Sequence, residues 1–208
     1  MILQKRDIEI LHWINGFGFA SVKQIKDFMQ VKTTAAHVRI KKLVDDGYLK
    51  KDRILHGQAK VHKLTPKGRM ICEDALYHLT DINLGTFRHD YLLIDLAIYL
   101  ERKTGGSFIP PRRIRHNEGL SGVGQIGHIP DGYLIIGEDK PIAIELELSV
   151  KAHARIKDII HGYGGDLSVK EVWYYTDRKD VAKAVSKVAD GYDFIKIMDL
   201  PQGMGASV

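Results

Sequence analysis

The chain has 208 residues, of which 44% are hydrophobic and 27% charged, so it has enough apolar residues for a core and lacks a disordered composition. It has no apolar run near the roughly 20 residues of a membrane span, no secretory signal pattern, and a single cysteine, Cys72, which excludes an internal disulfide and a cysteine-based zinc site. The net charge of +5 is uneven, because residues 1–86 hold 15 Lys and Arg against 9 Asp and Glu, whereas residues 87–208 hold 16 against 17. We therefore expect a cytoplasmic protein without a membrane partner, with Cys72 in a packing role and a polyanion-binding module at the start.

The first 79 residues have the pattern of three helices, a hairpin and a fourth helix. Apolar residues at helical spacing predict helices over residues 4–18, 21–30 and 33–47, with Ser21 and a threonine at 33 or 34 as N-caps. The extended segments YLKKDRIL and AKVHKLT flank HGQ and predict a hairpin, and Thr65 with Pro66 begins a helix over residues 65–79. This order is typical of a winged helix-turn-helix, and GYLKKDR followed by VHKLTPKG resembles the wing of bacterial winged-helix proteins.

A winged helix presents its third helix and its wing to double-stranded DNA. In the third helix, the residues that point away from the apolar face are suited to bases or phosphates: Thr34, His37, Arg39, Lys41 and Lys42. The hairpin adds further side chains for the same contact: Lys50, Lys51, Arg53, His56, Lys60 and His62. The alternative is an ordinary solvated surface or a protein-docking module.

Residues 86–200 predict a second domain with the order αβββαβαβ, and residues 201–208 resemble a flexible tail. A buried helix is expected over residues 88–106, a broken strand over 107–119 and a hairpin over 127–149. A helix over 151–163, a strand over 170–176, a helix over 177–190 and a strand over 193–200 follow.

The predicted hairpin carries carboxylates within otherwise apolar strands. Its turn at residues 137–140 makes the two strands neighbours, and alternation puts Glu145 and Glu147 on one face. We expect Asp131 on the first strand to lie near them, so that three carboxylates crowd together. Such crowding calls for a compensating cation, and Mg²⁺ or Mn²⁺ suits oxygen ligands. The alternative is ion pairing with neighbouring basic residues.

Asp131 after Pro130, the E-L-E of Glu145 to Glu147 and the following Lys151 resemble the PD-(D/E)XK nuclease superfamily, which has a restriction-endonuclease-like core. The succession RHDYLLIDLAI, IPDGYLII and IELELSVKAHARI, after a winged helix, resembles the replication-relaxation family of mobile elements, which includes MobC-type plasmid relaxases. The resemblance covers roughly residues 5–165. It implies that Asp131 and Glu145 bind a metal ion. Glu147 stands where the superfamily usually has lysine, so Glu147 would be a further ligand and Lys151 a displaced lysine, or the site would be inactive.

The resemblance also suggests residues outside the hairpin. An acidic residue of the helix over 88–106 often completes such sites, which makes Asp95 a candidate, and His89 on the same helix is a second one. Arg112 and Arg113 are candidates for binding the DNA backbone, with a solvated strand edge as the alternative.

Two functions follow from these expectations. The first is a metal-dependent nuclease or relaxase, directed by its winged helix to plasmid or other mobile-element DNA. The second is a non-catalytic replication, relaxosome or transcription factor, whose nuclease-like domain serves for docking or formation of a homodimer. A tyrosine relaxase that uses Tyr163 is a weaker third interpretation, because no histidine triad is recognisable in the sequence.

Overall fold

The computed structural model describes residues 2–54, 60–74, 76, 77, 79, 81–119 and 128–204. Within these residues the chain combines helices with two separate β-sheets, which confirms the predicted mixed α and β class. In the same part of the chain, no helix has both the length and the apolar character that are needed to cross a bilayer.

The N-terminal part follows the predicted order, with one short strand added. Its elements are α1 (Lys5–Phe17), β1 (Ala20–Ser21), α2 (Val22–Met29), α3 (Thr33–Asp45), β2 (Leu49–Asp52) and β3 (Val61–Leu64). The strands form an antiparallel sheet in the order β1-β3-β2. The predicted hairpin is thus confirmed, whereas its turn at residues 56–58, including His56, lies outside the described residues.

Local sequence signals account for most of these boundaries. Helix α2 begins as predicted, because the Ser21 hydroxyl accepts a hydrogen bond from the Gln24 backbone N–H at 3.3 Å. Helix α3 begins at Thr33 without a side-chain cap, so the predicted threonine cap is wrong. The chain leaves α3 through Gly47, whose φ of 75° lies in the left-handed region that favours glycine.

The fourth predicted helix is much shorter than expected. Helix α4 spans only Pro66–Arg69, where the Thr65 hydroxyl caps it by accepting a hydrogen bond from the Gly68 backbone N–H at 3.1 Å. Residues 70–74 are not helical. Asp74 instead contacts side chains of α1 and of the C-terminal part, so a long-range contact replaces the helical continuation.

The C-terminal part contains one correction to the predicted order. Its elements are α5 (Phe87–Thr104), β4 (Ser107–Ile109), α6 (Pro111–Asn117), β5 (Gly132–Ile135), β6 (Ile142–Leu146), α7 (His153–Gly164), β7 (Glu171–Thr176), α8 (Lys179–Ala189) and β8 (Ile195–Asp199). The predicted broken strand is therefore a strand followed by a helix. Proline has no backbone N–H to donate to a neighbouring strand, but it suits the first position of a helix, which Pro111 occupies.

The larger sheet has the strand order β4-β5-β6-β7-β8, with antiparallel pairing up to β6 and parallel pairing from β6 to β8. Helix α5 packs on one face, against Leu134 and Ile144. Helices α7 and α8 pack on the other face, against Ala143 and Val172. Because side chains alternate along β6, Glu145 lies on the same face as Ala143, toward α7.

The two predicted units, residues 1–85 and 86–200, share a hydrophobic cluster around α5. Phe17 stacks on Phe108 with ring centroids 6.0 Å apart, and the Tyr91 hydroxyl donates to the Ser21 hydroxyl at 3.1 Å. Met204, in the segment that was predicted as a flexible tail, packs against this cluster, and residues 205–208 lie outside the described residues.

Candidate functional site

Asp131 and Glu145 are brought to the same end of the sheet by the hairpin of β5 and β6. Gly132 pairs with Ile144 in antiparallel register, which sets the preceding Asp131 opposite Glu145. The Leu146 backbone N–H donates to Asp131 Oδ2 at 2.8 Å. The predicted proximity of these two carboxylates is therefore confirmed. With Glu147, which follows β6, they form what we call the carboxylate cluster: Asp131, Glu145 and Glu147.

Glu145 is buried and already has two hydrogen-bond partners. His128 Nε2 lies 2.5 Å from its Oε1, and the Tyr163 hydroxyl donates to the same oxygen. Burial raises the pKa of Glu145, and the negative charge of Asp131 adds to this effect, whereas the contacts with His128 and Tyr163 oppose it. Tyr163 is thus a buried hydrogen-bond donor to the cluster, which leaves little support for it as a nucleophile.

Glu147 extends the strand and pairs with the displaced lysine. Its backbone N–H donates to the Tyr175 carbonyl oxygen at 2.9 Å, beyond the last regular residue of β6. Lys151 Nζ lies 2.5 Å from Glu147 Oε2, and the Glu147 side chain is buried. Lys151 also helps to lower the pKa of Asp131 by its charge. The predicted lysine therefore lies at the cluster, where it neutralises Glu147.

His89, at the start of α5, contacts Asp131 from the opposite side of the sheet. Its Nε2 lies 3.2 Å from Asp131 Oδ2 and 3.0 Å from the Leu146 carbonyl oxygen, and its Nδ1 lies 3.1 Å from Asp90 Oδ1. Burial alone would lower the pKa of His89, but hydrogen bonds and charges from Asp131 and Asp90 outweigh it and raise the pKa to about 10. At neutral pH both ring nitrogens therefore donate.

The same contacts act on Asp131 in the opposite direction. Burial would raise the pKa of Asp131, but the His89 ring, the Leu146 N–H and the charge of Lys151 outweigh burial and lower it. Asp131 is thus held as a carboxylate.

Tyr174 and His128 belong to this site, and the sequence patterns did not identify them. Tyr174 pairs in register with Glu145 on the neighbouring strand β7, is 4% exposed, and has no hydrogen-bond partner for its hydroxyl among the described residues. Burial raises its pKa, as do the charges of all three members of the carboxylate cluster. The alternation of KEVWYYT together with the parallel pairing of β6 and β7 would have indicated Tyr174. Nothing in the sequence pattern indicates His128.

The predicted crowding of three free carboxylates needs correction, because each carboxylate has its own basic partner: His89, His128 or Lys151. The ligand atoms of the cluster are less closely gathered than those of His12, Cys72 and Asp74, which form the candidate metal group among the described residues, all within 4.8 Å of one another. The donors of the cluster are nevertheless oxygen atoms of carboxylates, and Mg²⁺ typically uses one or two carboxylates together with water and substrate phosphates. The residues fit such an ion by donor chemistry, and Asp131 and Glu145 would hold it.

The group of His12, Cys72 and Asp74 fits a metal ion less well. Burial raises the pKa of the Cys72 thiol to about 11, so the thiolate needed for metal binding is scarce at neutral pH. Arg113 Nε donates to Asp74 at 3.0 Å and Asn15 Nδ2 at 3.2 Å, which occupies that carboxylate. Cys72 is buried in the hydrophobic cluster of the N-terminal helices, as expected for a packing residue.

Asp95 is not part of the carboxylate cluster, contrary to expectation. Its Oδ1 accepts a hydrogen bond from Gln24 Nε2 at 3.0 Å, at the contact between α2 and α5. Burial raises the pKa of Asp95, whereas the bond from Gln24 lowers it. Asp95 follows His89 by six positions on α5, so its side chain leaves the helix on a different side.

Most of the predicted DNA-binding side chains are exposed on α3 and on the hairpin: Thr34, His37, Lys41, Lys42, Lys50, Lys51, Arg53 and Lys60. Three of them form what we call the basic hairpin surface: Lys51, Arg53 and Lys60. The charges of Lys51 and Arg53 lower the pKa of Lys60, which indicates that these side chains lie close together. His62 is instead buried in β3, and burial lowers its pKa to about 4. The exposed set leaves a positively charged surface on one part of the chain.

Arg39 was predicted to face DNA, and this prediction is wrong. Its guanidinium forms a double hydrogen bond with the carboxylate of Asp7, which is fully buried in α1. Burial and the charge of Arg6 lower the pKa of Arg39. Arg39 joins α3 to α1 and has little surface to offer a ligand.

Arg112 and Arg113 also have structural partners rather than open surroundings. Arg112 donates to the carbonyl oxygens of Asn15 and Tyr77, and Arg113 binds Asp74 and donates to the His12 carbonyl oxygen at 3.2 Å. Both lie on α6, which packs against α1. These side chains connect the two parts of the chain, and their role in binding the DNA backbone stays a prediction.

Comparison of the chain with models of known protein families and with curated proteins gives no match. Inferences about function depend on the arrangement of the carboxylate cluster and of the basic surface.

Proposed function

We propose that this chain is a DNA-binding protein that hydrolyses phosphodiester bonds with the help of a divalent cation. The observation that carries the proposal is the meeting of Asp131, Glu145 and Glu147 with His89 and Lys151 at one end of a sheet. Titratable groups with shifted pKa values gather at this one site, which favours a functional role over a purely structural one.

The N-terminal part supports DNA as the substrate. The element order α1-β1-α2-α3-β2-β3, with an antiparallel hairpin after the third helix, is compatible with a winged helix. In that fold the third helix and the hairpin meet the duplex, and here both carry exposed basic side chains. Lys51, Arg53 and Lys60 would neutralise phosphates, and the exposed Thr34 and His37 would contact base edges or phosphates.

The residues of the cluster would divide the chemical work. A divalent cation held by Asp131 and Glu145 would supply Lewis acidity and a more acidic water. The protonated His89 orients Asp131 through its Nε2 and keeps that carboxylate ionised. Lys151 offers a positive charge next to the cluster, which is suited to offsetting the charge that develops on a phosphate in the transition state.

The resemblance to the replication-relaxation family supports a plasmid or another mobile element as the DNA that is bound. Nicking or cleavage there would serve replication or mobilisation.

A second candidate is a non-catalytic DNA-binding regulator of replication, relaxosome assembly or transcription. It is favoured by the ion pair of Glu147 with Lys151, since the lysine that the chemistry needs is already neutralised. The hydrogen bonds of His128 and Tyr163 to Glu145 favour it as well. In this case the C-terminal part would serve docking or a homodimer.

Plasmid cleavage separates the two candidates. Supercoiled plasmid that carries the cognate site is incubated with Mg²⁺ or Mn²⁺ and the wild type, Asp131→Asn or Glu145→Gln, with Asp95→Asn as the matched control. The proposal predicts nicked or linear DNA with the wild type and with Asp95→Asn, and at least a tenfold slower reaction with the two cluster variants. Equal background in all four samples favours the regulator.

The salt dependence of DNA affinity tests whether the N-terminal part binds DNA phosphates, independently of cleavage. Replacing both Lys51 and Lys60 by alanine removes two phosphate contacts, so the slope of log K against log salt should become less steep by about 2. A wild-type slope near zero would reject phosphate binding.

A further inference from the structure

Tyr174 has a buried hydroxyl group with no hydrogen-bond partner among the described residues, although it is 4% exposed. Two other buried tyrosines, Tyr91 and Tyr163, have partners for their hydroxyl groups. The Tyr91 hydroxyl donates to Ser21, and the Tyr163 hydroxyl donates to Glu145. A buried hydroxyl without a partner is destabilising, so its presence calls for an explanation.

The position of Tyr174 in the sheet explains why its hydroxyl has no partner among the described residues. It lies in β7 beside Glu145, on the face of the sheet that also carries Ala143 and α7. Because Tyr174 and Glu145 are register partners on parallel neighbouring strands, their side chains leave the same face of the sheet next to each other. The hydroxyl is thus a donor next to the carboxylate cluster.

The cluster members do not use this donor. Asp131 accepts from His89 and the Leu146 N–H, and Glu147 pairs with Lys151. Glu145 accepts from His128 and from a different tyrosine, Tyr163. The hydrogen-bonding capacity of the Tyr174 hydroxyl is therefore left unused by the described residues of the cluster.

We propose that the Tyr174 hydroxyl forms a hydrogen bond with a water molecule that accompanies a divalent cation into the carboxylate cluster. This inference rests on the cation requirement of the proposed function. Mg²⁺ and similar ions keep several of their water molecules in proteins, and a buried water molecule requires two or more polar partners. Carboxylates and the Tyr174 hydroxyl provide such partners on one face of the sheet. Tyr174 is a positioning residue in this account.

The test is the affinity of the full chain for Mn²⁺ without DNA, measured by calorimetry and by electron paramagnetic resonance of the free ion. The variants are Tyr174→Phe, which removes only the hydroxyl, Asp131→Asn, and the control Tyr175→Phe on the α5 face of the same strand. We expect Tyr174→Phe to weaken Mn²⁺ binding by about tenfold, in the range reported for outer partners of metal ligands. Tyr175→Phe should leave the affinity unchanged, and Asp131→Asn should weaken it further.

Thermal unfolding without Mn²⁺ guards against a folding artefact. Removal of an unpartnered hydroxyl should leave the Tm of Tyr174→Phe equal to or above that of the wild type. If the wild type binds Mn²⁺ in a way that depends on Asp131 while Tyr174→Phe binds it equally well, the role of Tyr174 is refuted and the proposed function stands. If the wild type shows no binding that depends on Asp131, both the cation site and the role of Tyr174 are refuted.

Discussion

The hydrogen bond between His89 and Asp131 gives a direct test of the electrostatics of the site. Asp131→Asn keeps the size of the side chain and removes its charge, and with it the ion pair to His89 Nε2 at 3.2 Å. Asp90, which lies 3.1 Å from the other ring nitrogen, is left in place. We expect the pKa of His89 to fall, because one of the two carboxylates that stabilise the protonated ring is neutralised.

The size of the effect follows from the pKa of His89. A rise from the ordinary 6.5 to about 10 corresponds to about 5 kcal/mol in favour of the protonated ring. Burial opposes this rise, and Asp131 and Asp90 share the favourable part. Loss of Asp131 should thus lower the pKa by at least about 1, which is about 1.4 kcal/mol.

The raised pKa of His89 also determines how its contribution to the free energy of unfolding depends on pH. Because the pKa of His89 is higher in the folded chain than in the unfolded one, the contribution is fully present below about pH 6.5 and is lost as the pH rises through about 10. The variant should therefore differ most from the wild type in its free energy of unfolding between neutral pH and the acidic range in which Asp131 becomes protonated. The difference should shrink above about pH 10.

Histidine ring nitrogens report the titration in long-range ¹H–¹⁵N NMR spectra recorded between about pH 5 and about pH 11. The matched control is Asp95→Asn, which neutralises a carboxylate of the same helix whose partner is Gln24. It should leave the pKa of His89 unchanged. A His89 ring that titrates near its ordinary pKa in the wild type, or one that is insensitive to Asp131→Asn, would refute the reasoning.

Two further predictions concern stability. Arg39→Met leaves the buried carboxylate of Asp7 without its partner and should lower the free energy of unfolding, measured in urea, by about 3–5 kcal/mol. The salt dependence of DNA affinity should change little. A loss of stability below about 1 kcal/mol would contradict the buried pair. Gly132→Ala places a Cβ 2.1 Å from the ring of Phe108 and should lower the free energy of unfolding by about 1–3 kcal/mol. The control is Gly162→Ala in α7, where an added Cβ has no atom within 4 Å. This variant should raise the free energy of unfolding by about 0.5–1 kcal/mol. Thermal unfolding of both glycine variants measures this, and equal Tm values would count against the packing described.

The sequence predicts best where neighbouring residues determine the structure. The turn at residues 137–140 and the apolar alternation place β5 beside β6, and this register alone brings Asp131 opposite Glu145. Lys151 reaches Glu147 because only four positions separate them. His89 also joins the site as expected, since the start of α5 lies over the same end of the sheet.

Predictions fail where a side chain finds a distant partner. Arg39 points outward by helical periodicity alone, but the buried Asp7 lies 32 positions earlier and binds it. Asp95 contacts Gln24 across 71 positions. Arg112 sits on α6, a short helix that the sequence pattern gave as a strand, and reaches Asn15 across 97 positions. Such contacts depend on how α5 and α6 pack against the N-terminal helices, which hydrophobic periodicity does not specify.

His128, the partner of Glu145, was missed for a related reason. His128 lies just before the β5 hairpin, in a segment without a regular pattern, and its contact with Glu145 depends on the path of the chain. The sequence indicates that the carboxylates are close to one another. It leaves ion pairing with basic residues as an alternative, and it does not indicate His128 as one of the partners.

The central claim is that Asp131 and Glu145 bind a divalent cation, and its most direct test is a crystal soaked in Mn²⁺ and measured at the manganese absorption edge. The account predicts an anomalous difference peak between the Asp131 and Glu145 carboxylates, near the Tyr174 hydroxyl, and no such peak in Asp131→Asn crystals. A fully soaked crystal with no peak there, or with a peak only at His12, Cys72 and Asp74, would contradict it.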